Sequence, residues 1–171
     1  MITIIAGTNR KNSASLKLSN AYSLLLNEQG ISNQILDLGD LPSDFIFSAL
    51  YGHQNDQFNA IVNDKIVKAT GLVIISPEYN GSYPGVLKAF IDGWDRKFLF
   101  NKRVALVGVA SGRQGNARGM DHLTNVLNYL EMNVIPFKLP ISKVHEEFNE
   151  EGQLTNEETV KALQKQIDGL K

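Results

Sequence analysis

The chain of 171 residues contains no cysteine. Disulfides, thiolate nucleophiles and cysteine-ligated metal or iron–sulfur centres are therefore excluded, and with them the cysteine phosphate loop used by some phosphatases of alternating α/β architecture. Histidine is scarce: the 3 residues His53, His122 and His145 lie far apart without HxxxH-type spacing, which speaks against a zinc site. An excess of either charge is missing too. With 17 Lys and Arg against 18 Asp and Glu the formal net charge is -1, and no block of like charge points to nucleic acid or an anionic membrane as a partner. The apolar runs fall far short of a membrane span. The opening MITIIAGTNR has no charged leader region and runs straight into a folded pattern, so a cytoplasmic protein without membrane insertion is expected. A chain so short of reactive side chains needs a borrowed reactive group if it is to do chemistry.

What is present is an ordinary globular composition, with 43% hydrophobic and 20% charged residues. The length suits a single domain over residues 1–171. Apolar runs predict strands at Ile2–Ala6, 33–38, Leu72–Ser76, Val104–Val109 and 133–136. Helical spacing predicts helices over about 13–29, 57–69, 84–96, 116–131 and a last one opened by a capping box at Thr155 to Glu158. Strands alternating with helices imply a parallel sheet covered on both faces, and near-continuous apolar strands agree. The first loop, AGTNRKNSAS, lacks the GxGxxG of a dinucleotide-binding fold. The expected architecture is therefore a flavodoxin-like α/β sandwich with strand order 2-1-3-4-5.

Three loops at predicted carboxyl ends of strands carry the chemistry. Gly7 to Ser15 offers hydroxyls at Thr8, Ser13 and Ser15, cations at Arg10 and Lys11, and the free amides of a helix start. Those are the requirements of a phosphate monoester. N-capping by a serine among solvated basic neighbours accounts for the same residues more simply. The second loop, within LVIISPEYNGSYPGVLKAFID (residues 72–92), sets Tyr79, Asn80 and Tyr83 where a flat polar ring could lie, with Pro84 suited to the first helical turn. The third, Ser111 to Asn116, is glycine-rich and open to close backbone approach or to plain helix capping.

Taken together, the loops resemble those of the NADPH-dependent FMN reductase family, which includes bacterial chromate, quinone and azo-dye reductases. The family's G-S/T-x-R-x-x-S is matched by Gly7 to Ser13, and its P-E-Y-N-G-S-Y-P-G-x-L-K by Pro77 to Lys88 without a gap. A looser third signature corresponds to Ser111 through Arg118, and the resemblance spans roughly 1–135. The chain departs from the pattern at Arg113-Gln114, where many relatives carry two small residues.

The resemblance implies that Thr8, Arg10, Ser13 and Ser15 hold the FMN phosphate. It implies that Pro77, Glu78, Tyr79, Asn80, Gly81 and Ser82 border the isoalloxazine, largely through backbone amides, with Ser111 and Gly112 near its pyrimidine edge. The cofactor would carry the hydride, from NADPH (or NADH) to a small-molecule electron acceptor, and no side chain is expected to be catalytic. A flavodoxin-type electron carrier or a flavin-binding regulatory protein is the alternative; carriers are usually strongly acidic, unlike this chain. Aromatic residues around Trp94 and residues 45–51 suggest a homodimer or homotetramer. Replacing Arg10 by alanine is expected to weaken FMN binding by about 1.5–3 kcal/mol, the scale of a hydrogen bond to a charged group. Unchanged affinity in a fluorescence titration would remove Arg10 from the phosphate site.

Overall fold

The computed structural model describes residues 1–53 and 55–171. In chain order the elements are β1 (Ile2–Ala6), α1 (Ala14–Glu28), β2 (Asn33–Asp37), a short α2 (Phe45–Ser48), α3 (Asp56–Val62), β3 (Gly71–Pro77), α4 (Gly85–Asp92), β4 (Arg103–Val109), α5 (Ala117–Tyr129), β5 (Asn133–Val134), β6 (Leu139–Ile141) and α6 (Glu157–Leu170). The main sheet is parallel in the order β2-β1-β3-β4-β5, the flavodoxin-like order expected. No helix among the described residues is long and apolar enough to cross a membrane.

The strands read as unbroken apolar runs because both faces are covered. Successive side chains alternate, so Leu72 and Ile74 enter one core with Phe58, Leu87, Phe90, Leu123 and Leu127. Val73 and Ile75 enter the other, with Leu18, Tyr22, Leu26, Leu163 and Ile167. Phe90 anchors the first core, lying edge-on to Phe58 at 5.9 Å and to Trp94 at 5.4 Å. Trp94 is thus a core residue.

Several local expectations are revised. The predicted fifth strand ends at Val134: the Asn133 and Ile135 amides bond Lys102 O and Val104 O, but Leu106 O, next in that series, accepts from the Gln166 side chain, and pairing with β4 resumes at β6, a strand the sequence did not signal. Pro84 stands before the first helical residue, with an extended ψ of 145. The predicted helix 57–69 is α3 followed by a π-helical turn at Asn63–Val67. The cap of α6 is Asn156, whose side chain accepts from the amides of Glu158 and Thr159, so Thr155 opens no capping box.

A buried polar bridge ties the outer helices to the sheet. Tyr22 of α1 donates its phenol to Gln166 of α6 at 3.3 Å, and the Gln166 amide donates to Leu106 O at 2.9 Å and Phe137 O at 3.0 Å. Burial pushes the Tyr22 phenol well above its ordinary value of 10.0. The folded state therefore keeps this proton after the unfolded chain has released it. The contribution is complete below pH 10.0 and is lost as pH rises from there towards the folded value. Tyr22→Phe is expected to flatten the fall of unfolding free energy with pH above that point, measured by denaturant titration; an unchanged slope would deny the linkage.

Candidate functional site

Parallel strands end together, so their loops meet along one edge of the sheet. The amide of Gly7 donates to Ile75 O at 2.9 Å and that of Glu78 to Val109 O at 2.9 Å, which carries the ladder past the strand ends into the first two loops. Between these loops and the segment after β6 lies a cleft of about 730 Å³, lined by residues 8 and 10–15, Lys17, Pro77 to Tyr79, Val109 to Ser111 and the later residues Val144, His145, Phe148 and Asn149.

One end of the cleft gathers hydroxyls, open amides and cations. Ser13 caps α1 by accepting from the Leu16 amide at 3.1 Å, which leaves the Ala14 and Ser15 amides without intrahelical partners. The Ser15 side chain is fully buried and its Oγ has no hydrogen-bond partner. Buried hydroxyls are normally paired, so this one is an unspent polar group. Arg10, Lys11 and Lys17 line the same cleft and form no ion pair among the described residues. They outnumber the lining carboxylate, Glu78, in a chain of net charge -1. A phosphate group fits these donors: hydroxyls, open amides at a helix start and unclaimed cations.

The other end is flat and backbone-rich. Tyr79 and Ser82 exchange both backbone hydrogen bonds, at 2.9 and 3.1 Å, around Asn80 (φ 52) and Gly81 (φ 77). Two left-handed central residues make a type I′ turn, for which Asn-Gly is the favoured pair. This turn spends the amides of Tyr79 and Ser82, the Glu78 amide is spent on Val109 O, and proline has none. The expectation that the amides of Pro77 to Ser82 act as a group is thereby narrowed to Asn80 and Gly81. In the third loop the amides of Ser111 and Gly112 are also without backbone partners.

Of the sequence candidates, Thr8, Arg10, Ser13, Ser15, Pro77, Glu78, Tyr79 and Ser111 line the cleft. Asn80, Gly81, Ser82 and Gly112 do not. Gly112 accepts from the Lys143 amide at 3.0 Å, and the Ser82 hydroxyl bonds His122 Nδ1 at 2.9 Å. Thr8 is more than a lining residue. Its fully buried hydroxyl accepts from the Arg10 amide at 3.2 Å and bonds the Tyr79 phenol at 2.9 Å, joining the two ends of the cleft.

Sequence reasoning missed Val144, His145, Phe148 and Asn149. They follow β6, and no motif announces them; the Lys143 and Val144 amides bond Gly112 O and Ala110 O, which folds this segment over the third loop. Phe47 and Tyr51, candidates for a subunit contact, are exposed, while Phe45 is buried and stacked on Phe58 at 5.5 Å.

Comparison with known proteins identifies the family. Residues 1–146 match the family model described as NADPH-dependent FMN reductase. A 2-hydroxy-1,4-benzoquinone reductase of a Burkholderia species is 30% identical over 173 aligned positions, covering 98% of this chain and 92% of that protein. An NAD(P)H-dependent FMN reductase of Pseudomonas aeruginosa is 29% identical over 175 positions, with 97% and 90% covered. Among solved structures, the flavoenzyme NAD(P)H:(acceptor) oxidoreductase FerB of Paracoccus denitrificans superimposes with a TM-score of 0.76 at 27% identity, covering 99% of this chain and 93% of that one.

Because the Ser15 hydroxyl has no protein partner, Ser15→Ala is expected to leave the melting temperature of the ligand-free protein unchanged or slightly raised. The same variant should reduce the rise in melting temperature that inorganic phosphate produces in the wild type. A lower melting temperature without ligand, or full stabilisation by phosphate, would show that the hydroxyl serves the fold instead.

Proposed function

Since the chain belongs to the NADPH-dependent FMN reductase family, we propose that its cleft binds FMN and that the protein is an NAD(P)H oxidoreductase of small-molecule acceptors. The observation that carries this reading is the buried, unpartnered Ser15 hydroxyl beside the open amides of Ala14 and Ser15 at the cation-lined end of the cleft. Ser13 and Ser15 would hold the phosphate with those amides, and the Arg10 guanidinium would add a charge-assisted fork. Thr8 would serve chiefly by holding Tyr79, which sets the distance between the phosphate end and the ring end.

At the ring end, Pro77, Glu78, Tyr79 and Ser111 would form the lining, with the Asn80–Gly81 turn and Gly112 next to them in the chain. When bound, FMN would supply hydride chemistry between NADPH (or NADH) and a quinone, azo compound, metal-oxyanion or free-flavin acceptor, in a ping-pong cycle. The protein's part is orientation and electrostatics. Open amides at Ser111, Gly112, Asn80 and Gly81 are donors able to stabilise negative charge on a ring edge without reorganising. Phe148 and Val144, which also line the cleft, would limit water at the reacting face.

A non-enzymatic flavodoxin-type carrier is disfavoured by the near-neutral net charge of -1. The decisive experiment is to load the purified protein with FMN, add NADPH anaerobically and then a quinone. The expected outcome is a yellow protein whose visible band bleaches on NADPH and returns on quinone, with NADPH oxidation faster than that of free FMN. A protein that ignores added FMN, or turnover no faster than free FMN, would overturn the reading.

A further inference from the structure

Asn116 does not line the cleft, yet its side chain reaches the cleft wall. It precedes α5 in a left-handed conformation, φ 60 and ψ 30, and is fully buried. Glycine adopts that backbone with less strain than asparagine. The asparagine also leaves its own Oδ1 buried without a partner. These are two local costs, so the other half of the amide must be worth both of them.

That half, Nδ2, donates to Ser76 O at 3.0 Å, to Pro77 O at 3.0 Å and to Ser76 Oγ at 3.2 Å. Its two hydrogens serve three acceptors at the very end of β3. The consequence lies in one peptide unit. The carbonyl of Pro77 is held by Asn116, and the N–H of Glu78 on the same planar unit is held by Val109 O at 2.9 Å. A peptide plane bonded on both sides cannot rotate, and Pro77 and Glu78 on either side of it line the cleft.

The neighbourhood is cleared for this side chain. A β-carbon on Gly119 would clash with Asn116 Oδ1. The glycine on α5 therefore leaves the space the amide occupies.

We propose that Asn116 is a positioning residue for the ring end of the cleft, fixing the Pro77–Glu78 peptide plane so that the wall stands ready before a flavin binds. The proposal rests on the FMN reading of the cleft. It acts at the ring end only, which separates it from any residue of the phosphate end. Riboflavin, with the same ring and no phosphate, makes the distinction measurable.

The test uses Asn116→Gly, which suits the left-handed backbone and removes the donors. Its affinities for FMN and for riboflavin are titrated by flavin fluorescence, with visible circular dichroism of the bound flavin. Both affinities are expected to fall by the same factor, about tenfold for the lost hydrogen bonds, with an altered visible dichroism. A loss confined to FMN, or unchanged affinities and dichroism, would overturn the proposal. Should the glycine variant not fold, Asn116→Ala, which keeps the β-carbon, removes the donors and buries no charge, carries the same measurements. If the wild type binds neither flavin, the FMN reading falls first and this proposal with it.

Discussion

The backbone ladder between β1, β3 and β4 sets everything else in place. β1 ends at Ala6 opposite Ile75, and β3 and β4 run on together to Pro77 opposite Val109. Peptide groups buried in such a sheet must be paired, so the ladder does not stop where the strands do. Gly7, Glu78 and Ala110 each give their amide to a neighbouring strand's carbonyl, at 2.9, 2.9 and 3.0 Å. The three loops that line the cleft therefore leave the sheet from fixed points with fixed directions. Close approach there is also why Gly7 is small: a β-carbon would come within 3.0 Å of Ile75 O.

On that frame the cleft divides its labour. The α1 end gathers unclaimed cations, open amides and an orphaned hydroxyl, whereas the far end is polar backbone with side chains arranged around a tight turn. The Thr8–Tyr79 hydrogen bond couples the two, and Asn116 braces the far end from behind. Binding to a wall already held in this way requires less ordering of loops, which favours affinity for a rigid planar guest.

Much of this was legible in the chain. The apolar runs of β1, β3 and β4 are long because both faces are buried, and that burial leaves a pattern in the sequence. Ser13 as a helix cap follows from local chemistry that needs no distant partner. The split edge strand was not legible, since β6 is short and its pairing depends on β4 rather than on its own pattern. The wall formed by Val144, His145, Phe148 and Asn149 was hidden for the same reason: these residues meet the cleft through bonds to Ala110 and Gly112 far away in sequence.

By itself, then, the sequence determined the alternation of strands and helices, the parallel sheet and the two signature loops, because burial period, capping and turn chemistry act over a few residues. Only the tertiary structure decided which amides remain free, that Thr8 is committed to Tyr79, and that Ser15 keeps an unanswered hydroxyl. It also decided that Asn116 reaches across to Pro77. Whether a polar group is spent or available depends on its neighbours in space, and those neighbours come from strands and helices that the chain order keeps apart.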